Sequence, residues 1–351
     1  MRVERWILGL VLPVATAINL LACDAEPPVR MRLLTWNVGN TDADDPHYAF
    51  RLKHQAYEDF VRDRIRTMAA DVVLLQEVLS PHRCEGFAES SPSRTCHDAA
   101  SREPPIRRLL GPDYSIVCDA RRQVECIGVR TSFGNIAGVP PGGLVLGGAE
   151  TAPLPLSPCD RSRGECNDER CDDESTVSAA TIATAGGTVR LVHVHPMAPA
   201  KTDAGVFWGE PCRHRQLRQA FESLSGDGHA PTVVAGDFNL DPVRLIAERE
   251  AALWSTYVRE GRRFRDLTPS APSGVQYGTR RGSLGIAIDH VLVERALGAC
   301  TVHGHDVGPD AGTDPLDADF EWSRLELSDT ERRAARIDHF AITCDLALSR
   351  R

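Results

Sequence analysis

An α/β fold is predicted for this 351-residue chain by two patterns: short apolar runs of strand length and composition, and a helix-spaced segment between the first two of them. A third observation bears on function, because each run carries a polar or ionisable residue at one end. The most informative stretch is 231–240, where Thr232-Val233-Val234-Ala235 passes through Gly236 into Asp237, Phe238 and Asn239. Alternation along a strand predicts Asp237 and Asn239 on one face and Phe238 on the other. A carboxylate and a carboxamide at the mouth of a strand can hold and deprotonate one water. The same two residues favour turns, so an Asp/Asn turn closing the strand is the rival reading.

The other elements follow in chain order. Residues 32–37 form the first run, ending in Trp36-Asn37. In residues 54–70, Phe60, Val61, Ile65 and Met68 recur at helical spacing, which predicts a helix laying an apolar stripe on a sheet. The run 71–77 ends in Gln76-Glu77, and 190–195 ends in His195. Ile288-Asp289-His290 opens the strand Val291-Leu292-Val293, and Ile337-Asp338-His339 opens residues 340–343. One polar strand end is ordinary, whereas a series of them in this order is hard to explain by strand termination alone. His193 and His290 neighbour these positions without sharing their pattern and read as structural.

Together these residues resemble the motifs of the endonuclease/exonuclease/phosphatase superfamily, the pancreatic-deoxyribonuclease-like fold, across residues 31–346. The matching elements are Trp36-Asn37, Leu75-Gln76-Glu77, the strand ending in His195, Gly236-Asp237-Phe238-Asn239, Ile288-Asp289 and Asp338-His339. The resemblance implies a four-layered α/β sandwich in one domain: two mainly antiparallel sheets face to face, with helices outside. It further implies a divalent-metal-dependent phosphoester hydrolase.

In that reading Asn37, Glu77 and Asp338 hold Mg²⁺ or Mn²⁺, since hard oxygen ligands suit those ions. Asp237 is the general base, and Asn239 orients the attacking water or the phosphate. His195 and His339 bind the phosphate and assist the leaving group, with Asp289 fixing the tautomer of His339. Glu125 is a candidate for the same service to His195. Two positions depart from the family pattern: Ile337 stands where Ser is usual, and Pro196 follows His195 where Leu is common.

The substrate is less defined. An exported nuclease is the first expectation, because no membrane-inserting aromatic hairpin is evident among 5 Trp, 5 Tyr and 10 Phe. The alternatives are a sphingomyelinase-like phospholipid or sugar-phosphate hydrolase, and a catalytically silent binding lipoprotein. Retention of Asp237, His195 and His339 together argues against the silent scaffold. A net charge of −9 leaves no electrostatic footprint for nucleic acid. Arg280 and Arg281 could supply local charge, or be ordinary exposed loop cations.

The N-terminus speaks of address. Arg2 and Arg5 precede an apolar run that ends at Leu20-Leu21-Ala22-Cys23. That pattern resembles a lipoprotein signal over residues 1–22, with lipid on Cys23, a linker at 23–30 and an exported, membrane-anchored monomer. Excluding Cys23 leaves ten cysteines, an even set that suits an oxidising compartment. Cys84 with Cys96, Cys118 with Cys126, and Cys300 with Cys344 are candidate pairs. Cys159, Cys166 and Cys171 read as staples of a surface insertion, because no second Cys or His pair has zinc-site spacing. Insertions are expected near 80–105, 157–175 and 308–336.

Overall fold

The computed structural model describes residues 27–39, 55–78, 103–118, 125–146, 176–197, 209–222, 230–242, 248–258, 262–268, 287–303 and 339–349. Thirteen strands form two sheets among them. The first sheet contains β1 (Val29–Asn37), β2 (Val72–Gln76), β3 (Tyr114–Cys118), β4 (Cys126–Arg130), β6 (Leu144–Leu146), β12 (Ala296–Val302) and β13 (Ile342–Leu348), in the order β12-β13-β1-β2-β4-β3-β6. The second contains β5 (Gly134–Ile136), β7 (Thr176–Thr184), β8 (Gly187–His195), β9 (Thr232–Asp237), β10 (Arg265–Asp266) and β11 (Asp289–Val293), in the order β10-β11-β9-β8-β7-β5. Pairing is antiparallel except at β1–β2, β3–β6 and β8–β9.

Period-two burial builds the layers. Met31, Leu33, Val72, Leu74, Ile127 and Val129 of the first sheet share one buried cluster with Val189, Leu191, Val233, Ala235, Val291 and Val293 of the second. That cluster is the core between the sheets. The alternate residues Leu34, Trp36, Val73 and Leu75 face outward onto α1 (Gln55–Met68) and α2 (Pro105–Leu110). On the opposite side Val192, Val194, Val234 and Leu292 pack with residues of α3 (Gly209–Glu222) and α4 (Glu248–Tyr257). The four-layered α/β sandwich expected from the sequence is therefore present.

In the first helix Val61, Ile65 and Met68 are buried and Phe60 is partly so. Its bounds are one residue inside the expected start and two inside the expected end. β1 starts at Val29, inside the segment expected to be linker, and β13 runs two residues past the expected domain end. Both shifts have one cause: Val29 and Leu348 pair in register and bury their side chains. Two expected disulfides are present, Cys118–Cys126 and Cys300–Cys344. Each joins directly paired residues of adjacent strands. Cys212 is also disulfide-bonded, while Cys84, Cys96, Cys159, Cys166 and Cys171, the three insertions and the signal segment with Cys23 lie outside the described residues.

Candidate active site

Strand direction collects the polar ends. β1 and β2 run parallel, so Asn37 and Glu77 leave the sheet at one edge. β4 and β13 run antiparallel to them, which brings Glu125 and His339, just before those strands, to the same edge. In the second sheet parallel β8 and β9 deliver His195 and Asp237, and antiparallel β11 begins there with Asp289. The two edges meet, since Asn37 Nδ2 donates to Asp237 Oδ2 across 3.1 Å.

Alternation then aims the side chains. The parity that sends Met31 and Leu33, Val189 and Leu191, Val233 and Ala235, and Val291 and Val293 into the inter-sheet core also sends Asn37, His195, Asp237 and Asp289 inward. Glu77 has the opposite parity and reaches the site by a different route. Its φ is +57°, and Asn239 has φ +49°, two of only three non-glycine residues with positive φ among those described. The left-handed turn redirects the chain, so Glu77 Oε1 accepts from Asn37 Nδ2 at 3.1 Å. Left-handed backbone at non-glycine residues is costly and concentrates at functional sites.

Gly236 permits the close approach. Its φ is +144°, and an added Cβ would stand 2.0 Å from Val194 O. No L side chain fits there without moving β8 or β9.

Asp237 Oδ2 is the hub of the site. Besides Asn37 Nδ2, it faces His339 Nε2 at 3.6 Å and His195 Nε2 at 3.8 Å. Each imidazole is gripped from behind. Glu125 Oε1 lies 2.8 Å from His195 Nδ1, and Asp289 Oδ2 lies 2.9 Å from His339 Nδ1. Two His–carboxylate dyads thus present their Nε2 atoms to one buried carboxylate. Trp36 Nε1 donates to His339 O at 3.2 Å, which gives the Trp of the Trp-Asn pair a task in placing that histidine.

No protein-family model matches the chain, and none of the curated proteins does. Solved structures do. The catalytic domain of human nocturnin is similar with a TM-score of 0.53 and 13% identity, over 92% of this chain and 96% of that one. An endonuclease/exonuclease/phosphatase family protein from Bacteroides thetaiotaomicron is similar with a TM-score of 0.51 and 15% identity, over 93% and 97% respectively. This chain has the endonuclease/exonuclease/phosphatase fold.

The electrostatics of the site on this endonuclease/exonuclease/phosphatase fold divide the two histidines of β8. Burial alone would lower the pKa of His195, but the Glu125 hydrogen bond and the charges of Glu125, Asp237 and Glu77 outweigh it and raise it to about 9. His195 is an imidazolium at neutral pH. His193, two residues back on the same inward face, is pushed down to about 3 by burial and by the charge of His195. It meets Gln76 Nε2 at 2.5 Å, tying β8 to β2 beneath the site. His290 has outward parity and lies in the helix-side core, edge-on to Phe238 and Trp254. Its Nδ1 faces Asp266 and its Nε2 faces the carbonyls of Leu240 and Ala287. Neither ring is among the groups that face Asp237 Oδ2.

Glu125, a minor candidate in the sequence, proves to be a direct partner of His195. Asn239 departs from the expected alternation. Its backbone N–H donates to Asp237 Oδ1 at 2.7 Å in an Asx turn, and its Nδ2 donates to Pro196 O at 2.9 Å. The turn reading of this motif is observed, and the same turn bond fixes the Asp237 carboxylate. Asp338, Ile337, Arg280 and Arg281 lie outside the described residues.

Two groupings could hold a cation. Ligand atoms of Asp237, Asp289 and His339 lie within 4.8 Å of one another. His339 Nδ1 is already committed to both oxygens of Asp289, at 2.9 and 3.1 Å, which is the geometry of a hydrogen-bonded dyad. Beside it Glu77 brings a carboxylate of the hard-oxygen type that suits a divalent ion, while Asn37 turns its Oδ1 to the Gly39 N–H at 2.8 Å and its Nδ2 to the site. There one amide nitrogen bridges two carboxylates, Glu77 and Asp237, each at 3.1 Å.

Proposed function

We propose that this chain is a divalent-metal-dependent phosphoester hydrolase in which Asp237 activates water and two oriented histidines bind the phosphate. The observation that carries this reading is the convergence of the His195–Glu125 and His339–Asp289 dyads on Asp237 Oδ2. A carboxylate facing two imidazoles gives an attacking water its base and the phosphate its hydrogen-bond donors at one place. The shared fold supports it, and the nocturnin structure with that fold holds a sulfate, an anion of phosphate shape.

The residues divide the work as follows. Asp237 takes a proton from the water whose oxygen attacks phosphorus. The His195 imidazolium, held by Glu125, binds a non-bridging oxygen. His339, kept with Nδ1–H on Asp289, directs Nε2–H to the departing oxygen and supplies its proton as the P–O bond breaks. Glu77 and Asn37, with Asp338, are the proposed holders of Mg²⁺ or Mn²⁺, whose chemistry is to neutralise the phosphate and polarise the P–O bond. Asn239 keeps Asp237 and the Pro196 carbonyl in place.

Within this class an exported nuclease is the first choice and a phospholipid or sugar-phosphate hydrolase the second. Export is our reading of the signal-like N-terminus together with the Cys118–Cys126 and Cys300–Cys344 pairs, since disulfides persist in oxidising compartments, and the lipid on Cys23 is proposed from the N-terminal sequence alone. The test is the purified chain from residue 24 onward, assayed on plasmid DNA, RNA, sphingomyelin, a sugar phosphate and bis-p-nitrophenyl phosphate with and without Mg²⁺. Metal-dependent hydrolysis that vanishes in Asp237→Asn is expected. Inertness towards all five substrates would overturn the hydrolase reading and favour a binding scaffold.

A further inference from the structure

We infer that Gln216, in the middle of α3, is a positioning residue for His195: its buried side-chain carbonyl holds the Met197 amide and so fixes the chain leaving the imidazole. The inference deepens the hydrolase reading and rests on it for the role of His195.

The need arises at the end of β8. The strand pairs with β7 through His195, opposite Thr176, and then stops. Pro196 has no N–H to continue a ladder. The next amide, that of Met197, belongs to a residue only 4% exposed, so it requires an acceptor inside the protein. Gln216 Oε1 accepts it at 2.8 Å, from a residue 1% exposed. On the other side of the same two residues, Asn239 Nδ2 donates to Pro196 O at 2.9 Å. The Met197 side chain packs on Cys212, one helical turn before Gln216 and itself disulfide-bonded.

The two peptides after His195 are therefore clamped on one side by the turn that carries Asp237 and on the other by α3. Both jaws matter for aim. Glu125 can hold Nδ1 only if the backbone at His195 presents the ring at the 2.8 Å seen here. A helix on the outer layer thus helps aim a histidine on the inner one. It also shows how Pro196 is accommodated at this position: the ladder bond it cannot make is replaced by a side-chain clamp around it.

The experiment compares Gln216→Met, which keeps volume and removes the acceptor, with Gln216→Glu, which keeps an acceptor at the same atom. A crystal structure of each is read for the His195 Nδ1–Glu125 distance. Turnover of bis-p-nitrophenyl phosphate with Mg²⁺ is measured in wild-type and His195→Ala backgrounds. The inference expects the dyad opened in Gln216→Met and retained in Gln216→Glu. It also expects turnover to fall about ten-fold or more in Gln216→Met, with KM changing less, and the loss to shrink to near nothing in His195→Ala.

An intact dyad in Gln216→Met, or an equal loss in both backgrounds, would overturn it in favour of a purely structural amide. If Gln216→Met does not fold, amide exchange of the unaltered protein decides. Met197 must then rank with the slowly exchanging strand amides, and fast exchange would overturn the clamp. A wild-type protein inert on phosphoesters would defeat the hydrolase reading alone, leaving the crystallographic and exchange results to judge Gln216.

Discussion

Asp289 lies directly across from Asp237 in the antiparallel pairing of β11 with β9, so the two carboxylates rise side by side from the inward face of one sheet. Like charges opposite each other on adjacent strands repel. Here His339 stands between them, with Nδ1 at 2.9 Å from Asp289 and Nε2 at 3.6 Å from Asp237. The arrangement gives the two carboxylates different duties. Asp289 is occupied in holding a histidine, and Asp237 keeps Oδ2 directed to the point where Asn37, His195 and His339 converge.

Asp237→Asn and His339→Ala should each lower turnover by roughly 10²-fold or more, the scale of lost acid–base catalysis. Both side chains act in one transition state, so the double variant should fall well short of the product of the single losses. Steady-state kinetics on folded protein, checked by circular dichroism, measures this. Near-full activity in Asp237→Asn would contradict the assignment of the base.

Chelation addresses the cation. EDTA should abolish hydrolysis and added Mg²⁺ or Mn²⁺ should restore it, with Glu77→Gln requiring a higher metal concentration for half-maximal rate. Isothermal titration of the apoprotein supplies a readout free of turnover. Equal metal affinity in Glu77→Gln would move the site to the Asp237, Asp289 and His339 grouping.

His193 makes stability depend on pH in a definite direction. Its folded pKa of about 3 lies below the ordinary 6.5, so the unfolded chain takes up a proton that the folded chain refuses. Its contribution is fully present above pH 6.5 and declines as pH falls towards 3. At pH 5 the loss is about 2 kcal/mol. Urea unfolding at pH 7 and pH 5 should show wild type losing about that much more stability than His193→Gln. Parallel losses would mean that His193 is solvated or protonated in the fold.

Much of this architecture was legible because strand parity and polar strand ends are local properties. Residues 232–239 announced both the turn and the inward Asp237, and Val61, Ile65 and Met68 announced a helix on a sheet. What alternation cannot show is where it breaks. Glu77 has the wrong parity for the site and reaches it through a positive φ, which no hydrophobic pattern encodes. Gln216 was silent for another reason. It is a polar residue in a helix, and its partner is a backbone amide made needy by Pro196, a relation visible only once α3 lies behind β8. Glu125 was faint because its match lay beside a loop, yet its place before β4 follows from the antiparallel pairing with β2.

His290 offers the sharpest contrast with His339, since it adjoins Asp289 in sequence but points the other way. Burial opposes its charge, yet Asp266 raises its pKa, and both ring nitrogens face acceptors. The ring is therefore held as part of the helix-side core, wedged edge-on against Phe238 and Trp254. Removing it takes from the Asp266 carboxylate its imidazole partner and opens a cavity beside two aromatic rings. His290→Ala should cost about 3 kcal/mol or more, the scale of a broken buried pair, while turnover per folded molecule changes only a few-fold. His339→Ala should do the reverse. Because the folded pKa of His290 is raised, its stabilisation is complete below pH 6.5 and is lost as pH climbs through the folded value, opposite in sign to His193. Urea titrations of both variants beside their kinetics test the division. If His290→Ala kept wild-type stability and lost activity as His339→Ala does, the parity rule that assigns one histidine to the core and the other to the site would fail.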